Sequence, residues 1–271
     1  TGTNDNTVKV WRDGACERTI EAHTNVVRAV ALLPGGARFV SGSQDGSAKL
    51  WTLDGALERT FKGGGSVLCA AALPDGVHFV VGLGYDGVRL YHVNGTHVHT
   101  FKHSESVGSV WALAVTPDGQ HIISGGSDEN LVKVWSVASK SLVSTCRGHT
   151  SCVMALAVMP DGQRILSGAN DSTVRIWRIK GALENTFAEL HTSYVWALVA
   201  LPDNQHALSG SGEGSMTRNV KLFNVNDGAV LRTFWHTHPV RSLALLPDGL
   251  RFVSGSWDAT ARIAYHGLAP Q

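Results

Sequence analysis

Residues 157–177, AVMPDGQRILSGANDSTVRIW, contain the pattern that decides the fold of this chain. One apolar run ends at Pro-Asp-Gly, a second ends at Ser-Gly, and alternating residues after Asp171 lead to Trp177. Pro-Asp-Gly and the Asp-containing segment are turn signals, and the runs between them are typical of short β-strands. The stretch therefore predicts short antiparallel strands joined by tight turns.

The same pattern recurs along the chain, in residues 31–51, 71–91, 114–135, 199–223 and 244–264. The full repeat, which also includes the residues between these stretches, contains four short runs with period-two alternation and no helical pattern. Successive units close about 40 to 46 residues apart, which is the period of a β-propeller with four strands per blade. We therefore predict a single all-β propeller domain over residues 1–271, with repeats that close near Trp11, Trp51, Tyr91, Trp135, Trp177, Phe223 and Ala264.

Composition argues against several classes of protein. Lys and Arg number 23 against 22 Asp and Glu, so a formal charge of +1 gives no general attraction to nucleic acids or anionic lipids. No apolar run approaches the roughly 20 residues of a membrane-spanning helix, and the N-terminus has no signal-peptide pattern. We expect no nucleic-acid partner, no membrane insertion, and a cytoplasmic location with the nucleus as an alternative.

In its KLW, KVW and RIW endings the chain resembles the WD-repeat family. An Asp lies six residues before Trp at Asp5, Asp45 and Asp171, and His-Thr pairs begin at His23, His149, His191 and His236. The resemblance implies a structural hydrogen-bonded chain of four side chains inside each blade. One predicted set is His23, Ser41, Asp45 and Trp51, and the second is His149, Ser167, Asp171 and Trp177.

Three repeats depart from the family pattern. The one that closes at Tyr91 has neither the His nor the Trp, the one that closes at Phe223 has the enlarged turn SGEGSMTRN, and the last has Ala264 in place of Trp. We expect these blades to be less stable than the others.

Counting strands on the family repeat gives seven third strands but six inner and six outer strands. This count favours a propeller of seven four-stranded blades whose first blade is truncated at the N-terminus by about 30 residues. A six-bladed ring is the alternative.

The resemblance also implies a partner-binding face at the ends of the blades that carry the His loops and Asp turns. Three register positions per blade contribute to it. The first set lies six residues before the Pro of the following turn and comprises Arg28, Leu68, Trp111, Met154, Trp196 and Arg241. The second set lies two residues earlier and comprises Val26, Ser66, Ser109, Cys152, Tyr194 and Pro239. The third set precedes the turn Asp and comprises Asn4, Gln44, Tyr85, Ser127, Asn170 and Trp257.

Aromatic and basic residues are predicted to lie on opposite sides of this face. One side is aromatic and sulfur-rich, with Trp111, Met154 beside Cys152, and Trp196 beside Tyr194. The opposite side is predicted to be basic, with Arg28 and Arg241 and with Trp257 beside them. Aromatic residues and Arg are frequent anchors of protein interfaces. Alternatively, Trp111 and Trp196 turn inward and fill the channel.

The predicted function is a non-catalytic scaffold or adaptor for other proteins or peptide segments. The alternative is a reader of a modified peptide, with methyl-lysine, phosphate or a ubiquitin-like group, and an enzyme with its site at the channel mouth is less favoured. Ser, His and Asp recur as the repeat signature, and the sequence has no G-x-S-x-G elbow and no phosphate-binding Gly loop. We expect no cofactor and no small-molecule substrate.

A cluster of His residues is the one candidate metal site. His97 and His99 share a strand face, with His92 and His103 nearby, and imidazoles bind transition metals. Without Cys or carboxylate partners, a solvated His-rich outer strand is favoured and no metal is expected.

Overall fold

A computed structural model of the chain describes residues 1–12, 14–62, 64–85, 87–103, 108–127, 129–212 and 218–268. These residues form strands joined by turns, with no helix among them, so none of the described chain forms a helix suited to crossing a membrane. The chain has two compact units, one of residues 1–128 with 135–142 and one of residues 129–134 with 143–271. The all-β prediction is confirmed.

The first unit contains β1 (Thr7–Arg12), β2 (Ala15–Glu21), β3 (Val27–Leu32), β4 (Arg38–Ser43), β5 (Ser47–Thr52), β6 (Leu57–Lys62), β7 (Val67–Ala72), β8 (His78–Leu83), β9 (Val88–His92), β10 (His97–Phe101), β11 (Val110–Val115) and β12 (His121–Gly126). Residues of both units occur in β13 (Val132–Ser136) and β14 (Leu142–Cys146). The second unit contains β15 (Val153–Val158), β16 (Arg164–Ala169), β17 (Val174–Arg178), β18 (Leu183–Phe187), β19 (Val195–Ala200), β20 (His206–Ser211), β21 (Asn219–Asn224), β22 (Val230–Trp235), β23 (Val240–Leu245), β24 (Arg251–Ser256) and β25 (Ala261–Tyr265).

The strands pair in sequence order, which is the topology of propeller blades. Four-stranded sheets comprise β3–β6, β7–β10, β11–β14, β15–β18 and β19–β22, and a three-stranded sheet comprises β23–β25. The prediction of seven blades is wrong, because the described residues form six sheets of three or four strands. Trp11 lies in β1, which pairs with β2 and makes one further bridge between Gly2 and Val8. This aromatic ending therefore marks a two-stranded ribbon and not a blade.

The second strand of a blade is its most buried element. In β16, five of the six residues are buried, and β4, β8, β12 and β20 share this pattern. A strand with neighbours on both edges and cover on both faces needs an almost continuous run of apolar or small residues. This requirement explains the recurring apolar-Ser-Gly sequence.

The Pro-Asp-Gly motif forms the turn between the inner and second strands. In residues 159–162 the Gly162 N–H donates to the Met159 carbonyl oxygen at 2.9 Å, and Gly162 has a φ of 67°. Asp161 Oδ1 accepts the N–H groups of Gln163 and Arg164 at 2.8 and 3.2 Å. Gly tolerates the left-handed backbone and Asp caps the turn, so the motif starts β16 at a fixed position.

Neighbouring sheets within each unit bury their faces against one another. In the first unit, Leu50 and Phe61 form one core with Val67 and Phe79 of the next sheet. Glycine on the second strand permits this close approach. In the second unit, a methyl group added at Gly210 would lie 2.9 Å from Val240 Cγ1 of the next inner strand. Val240 thus fits where a side chain is missing.

Candidate functional site

A buried polar chain ties the His-bearing loop and the Asp turn to the second strand. In sheet β15–β18, Trp177 Nε1 donates to Ser167 Oγ at 2.7 Å, and Ser167 Oγ lies 2.7 Å from His149 Nε2. His149 Nδ1 lies 2.8 Å from Asp171 Oδ2. Because the carboxylate accepts the Nδ1 proton, Nε2 is left to accept the hydroxyl proton of Ser167. These hydrogen-bonded side chains fix two loops at one end of the blade.

Sheet β3–β6 contains the second polar chain that the sequence indicated. Trp51 Nε1 donates to Ser41 Oγ at 2.8 Å, and His23 lies 2.7 Å from Ser41 Oγ and 2.8 Å from Asp45 Oδ2. Burial opposes ionisation of Asp45, but hydrogen bonds from Ser47, Thr24 and His23 outweigh it and lower the pKa of Asp45 to about 2. The carboxylate therefore stays charged and holds the turn.

Three further His–Ser hydrogen bonds occur in other blades, and the sequence analysis did not predict the partners that form them. His103 lies 2.8 Å from Ser124 Oγ, which accepts a hydrogen bond from Trp135 Nε1 at 2.7 Å. The pairs His191 with Ser209 and His236 with Ser254 lie 2.7 and 2.9 Å apart. The spacing of 18 residues between the His and Ser of these two pairs, shared with His23 and Ser41, was a usable signal.

The metal interpretation of the His-rich strand receives no support from this geometry. His103 is buried in a polar chain, and His97 Nε2 lies 2.9 Å from the Thr100 hydroxyl. Within the described ranges, no three His, Cys, Asp or Glu side chains are grouped so that they could hold a metal ion. His97 and His99 are therefore assigned no ligand role.

A β-bulge occurs at the same place in every inner strand. The pairing of β3 with β4 skips Arg28, and the corresponding pairings skip the other residues of the first register set, which are Leu68, Trp111, Met154, Trp196 and Arg241. A bulged residue leaves the regular alternation, so its side chain is re-aimed. The bulge gives a physical reason why this register position differs from its neighbours on the strand.

Backbone hydrogen bonds bring the second and third register sets together in each blade. The N–H of Gln44 donates to the Val26 carbonyl oxygen at 3.0 Å. The N–H of Trp257 donates to the Pro239 carbonyl oxygen, also at 3.0 Å. Equivalent bonds join Ser127 to Ser109 and Asn170 to Cys152. In sheet β7–β10 the donor is Gly84, so Tyr85 lies one residue beyond the register that the sequence assigned to it.

The second unit contains a stack of one guanidinium between two indoles. Arg241 Cζ lies 3.3 Å from the ring centroid of Trp196 and 3.9 Å from that of Trp257. We call these three residues the Trp–Arg–Trp stack. Trp196 and Arg241 are the bulged residues of β19 and β23, which are inner strands of adjacent sheets, and Trp257 follows β24. Cation–π contacts of this kind stabilise the three side chains together.

Further contacts fix the stack. Trp196 Nε1 donates to the Gly212 carbonyl oxygen at 2.8 Å, and the Gly212 N–H donates to the carbonyl oxygen of Tyr194. The Tyr194 ring meets the Trp196 ring edge-on, with 6.0 Å between centroids. Trp257 remains 56% exposed and Tyr194 36% exposed. The surface is therefore ordered by internal contacts while aromatic area stays accessible.

The predicted separation of aromatic and basic sides is wrong in the second unit. Arg241 lies between Trp196 and Trp257 and not opposite Trp196. Residues at one register position in consecutive blades are neighbours, so Trp196 and Arg241 had to meet at adjacent inner strands. The sequence contained this signal in the consecutive order of the two repeats.

The remaining predicted site residues have less specific surroundings. In the first unit, with the Gln44 carboxamide turned so that its oxygen faces Arg28, Arg28 Nε and Nη2 donate to that oxygen at 3.2 and 3.0 Å. Tyr85 is exposed and Trp111 is half-buried. In the second unit, Met154 and Cys152 are half-buried, and burial raises the pKa of the Cys152 thiol to about 12. That thiol is therefore protonated and unreactive at neutral pH.

Comparison with known proteins supports the repeat assignment. The profile of the WD domain, G-beta repeat, matches residues 14–52, 95–136, 140–178 and 228–263, which together exceed half of the chain. The chain is 27% identical to nuclear distribution protein PAC1-2 of Uncinocarpus reesii, over 93% of this chain and 61% of that protein.

Two other relatives show how widely the repeat occurs. Nuclear distribution protein PAC1 of Arthroderma otae is 27% identical over 90% of this chain and 59% of its own length. Human pre-mRNA-processing factor 19 is 32% identical over 30% of this chain and 16% of its own length. The chain thus spans about six tenths of the length of the two nuclear distribution proteins.

Removing the hydroxyl at the centre of a polar chain should destabilise the protein. Ser167→Ala leaves His149 and Trp177 without their shared buried partner, and each orphaned group costs about 1–3 kcal/mol. We expect the free energy of unfolding to fall by about 2 kcal/mol or more in urea titrations. Ser139→Ala is the matched control, because its hydroxyl is exposed and is hydrogen-bonded to the exposed hydroxyl of Ser141. Equal stability of the two variants would contradict a structural role for the hydrogen bonds of Ser167 with His149 and Trp177.

Acid should destabilise the protein through its buried histidines. Burial, with the charge of Lys221, lowers the pKa of His191 to about 3, and the Asn219 side chain offsets this only in part. Because the unfolded chain binds this proton near pH 6.5 and the folded chain does not, stability present above pH 6.5 is lost as the pH falls towards 3.

The test compares urea unfolding at pH 7 and pH 5. His191→Gln should lose less stability between these values than the unsubstituted protein, whereas His238→Gln, which replaces an exposed imidazole, should keep the original loss. An unchanged pH dependence in His191→Gln would show that His191 does not carry the effect.

Proposed function

Because this chain belongs to the WD-repeat family, we propose that it is a non-catalytic scaffold that binds other proteins or peptide segments. The observation that carries the proposal is the Trp–Arg–Trp stack of the second unit. Trp and Arg are enriched among the residues that dominate binding energy at protein interfaces. Here three such residues are already held in one arrangement, which lowers the entropy cost of binding.

The chemistry of the stack points to an acidic segment with an apolar neighbour. Arg241 places a permanent positive charge between two rings, and a guanidinium pairs well with carboxylates or phosphates. The exposed area of Trp257 and Tyr194 offers apolar contact beside that charge. We propose that a partner inserts an Asp- or Glu-containing stretch flanked by an aliphatic or aromatic residue.

A methyl-lysine reader fits this site poorly. An aromatic cage binds a methylated ammonium between its rings, but the guanidinium of Arg241 already occupies the space between Trp196 and Trp257. A second cation would also be repelled by the first. A phosphopeptide reader is the better second candidate, because the same Arg241 charge favours phosphate.

The proposed scaffold role does not include the cellular processes of the relatives. Their names concern nuclear distribution and pre-mRNA processing, and neither process is assigned here. We propose a cytoplasmic location, with the nucleus as the alternative, and no small-molecule substrate. The other predicted contact residues, Arg28, Tyr85, Trp111 and Met154, are proposed to extend the binding surface of their own units.

Quantitative affinity purification from an extract tests the proposal. Trp257→Ser and Arg241→Gln should each lose a common group of bound proteins, because they remove a ring or the charge from the stack. Leu183→Ser is the matched control, since Leu183 is also an exposed apolar residue, on β18, but lies away from the bulged positions.

The outcomes separate the alternatives. Loss of the same proteins after phosphatase treatment of the extract would select the phosphopeptide reader. Retention of every bound protein by both stack variants would refute this binding surface.

A further inference from the structure

One hairpin of the first unit contains the single Asn-Gly pair of the sequence, Asn94-Gly95, which lies between β9 and β10. Asn94, Gly95 and Thr96 are all exposed. Because glycine has no Cβ, no side chain shields its backbone nitrogen from the carboxamide of the preceding residue. An Asn in this position can react with that nitrogen and lose ammonia, so the pair is a candidate site of covalent modification.

The carboxamide of Asn94 is held against the Gly95 peptide. The Thr96 N–H donates to Asn94 Oδ1 at 3.0 Å, and the ring that this hydrogen bond closes contains the Gly95 nitrogen. Cγ of Asn94 is therefore kept folded towards that nitrogen. The same N–H stabilises the negative charge that develops on Oδ1 when a nitrogen attacks Cγ, as the donors of an oxyanion hole do.

A positive charge from the neighbouring sheet lies beside the same peptide. A methyl group added at Gly95 would lie 2.9 Å from Arg59 Nη1, and Arg59 belongs to β6, the outer strand of sheet β3–β6. A nearby positive charge favours the anionic form of a group that can lose a proton. Arg59 therefore favours loss of the Gly95 N–H proton, which the attack on Asn94 requires.

The equivalent hairpin of sheet β3–β6 already has a carboxylate at this position. The N–H of each hairpin glycine, Gly55 and Gly95, donates to the carbonyl oxygen three residues earlier at 3.0 Å, and Asp54 occupies the place of Asn94. A methyl group added at Gly55 would lie 3.0 Å from Arg18 Cδ, so an arginine covers both glycines. An aspartate formed at position 94 therefore fits the hairpin.

We propose that Asn94 is a site of non-enzymatic deamidation in the folded protein. Hydroxide removes the Gly95 N–H proton, and the Gly95 nitrogen forms a bond to Cγ of Asn94. The bond from Cγ to the carboxamide nitrogen breaks, and this nitrogen takes a proton from water and leaves as ammonia. Water then opens the resulting succinimide at one carbonyl to give aspartate, or at the other to give isoaspartate.

The attack requires that one exposed hydrogen bond opens. The Gly95 N–H donates to the His92 carbonyl oxygen at 3.0 Å and must leave it before its proton is removed. Exposed turns open by local fluctuations at free energies well below that of global unfolding. The reaction therefore proceeds while the strands on both sides of the hairpin remain paired.

The two products differ in their effect on the hairpin. Both add one negative charge, so the formal charge of the chain falls from +1 to zero. Aspartate keeps the backbone unchanged and places its charge beside Arg59. Isoaspartate inserts a methylene group into the backbone, which disrupts the turn closed by the His92 N–H and the Thr96 carbonyl oxygen at 2.9 Å. Modification thus alters the outer edge of sheet β7–β10 and not the Trp–Arg–Trp stack.

Peptide mapping by mass spectrometry of the folded chain, kept at neutral and at mildly alkaline pH, tests the proposal. We expect conversion at Asn94 that is faster at alkaline pH, with isoaspartate detected by an isoaspartate-specific methyltransferase. Arg59→Gln should slow the conversion about fivefold, the effect of one unit charge about 4 Å away in water. Arg147→Gln is the matched control, because Arg147 is an exposed arginine of the second unit, and it should leave the rate unchanged.

A destabilised variant shows whether the reaction occurs in the folded hairpin. Ser41→Ala removes the hydroxyl that His23 and Trp51 share and so destabilises the first unit. Its Asn94 should convert at the rate of the unsubstituted chain. Faster conversion in Ser41→Ala would show that the reaction needs unfolding and would overturn the proposal.

Three other results would also overturn the proposal. The first is an Asn94 that stays intact in the folded chain while it converts in urea. The second is an Asn94 that converts no faster than Asn226, whose Oδ1 accepts Arg164 Nη1 at 3.3 Å and whose following residue, Asp227, has a side chain. The third is an unchanged rate in Arg59→Gln.

Discussion

The burial of the second strand on both of its faces, in β4, β8, β12, β16 and β20, is the constraint on which the rest of this structure depends. Glycine lets the next inner strand approach, as Gly210 does for Val240, and the Ser beside it becomes completely buried. A buried hydroxyl needs hydrogen-bond partners. Ser167 and its equivalents are therefore hydrogen-bonded to a His and, in three blades, also to a Trp. The same polar chains hold the loops at one end of the blades, and the bulged first-set residues follow directly from those loops. Packing in the interior thus determines which side chains are presented at that end.

The strands, turns and polar chains could be predicted because each depends on local sequence. Pro-Asp-Gly specifies the turn at Gly162, and the 18-residue spacing from His to Ser recurs from His23 onwards. The blade count failed because an aromatic ending does not reveal how many strands pair with it, and Trp11 belongs to a two-stranded ribbon. The β-bulges could not be predicted from the sequence for the same reason, because a bulge is defined by how two strands pair. The contact of Arg241 with two indoles depends on side-chain directions that only the assembled sheets define.

The Trp–Arg–Trp stack is formed by contacts among the chain's own side chains. Arg241 contacts two indole rings, and Trp257 still has aromatic area that is accessible to a partner. The positive charge of the guanidinium and the exposed ring area together favour an acidic segment with an apolar neighbour. The scaffold proposal for the second unit depends on this combination.

A scaffold role for the second unit requires that Arg241 be held between Trp196 and Trp257 before any partner arrives. Ring currents from two indoles shift the protons of a sandwiched side chain upfield, so the δ-proton signals of Arg241 in ¹³C-labelled free protein measure the stack directly. Arg241→Lys identifies these signals by their loss. We predict that they lie upfield of the signals of exposed arginines and return towards them in Trp257→Ser. Arg241 signals that coincide with those of exposed arginines, and that do not move in Trp257→Ser, would contradict a preformed binding surface.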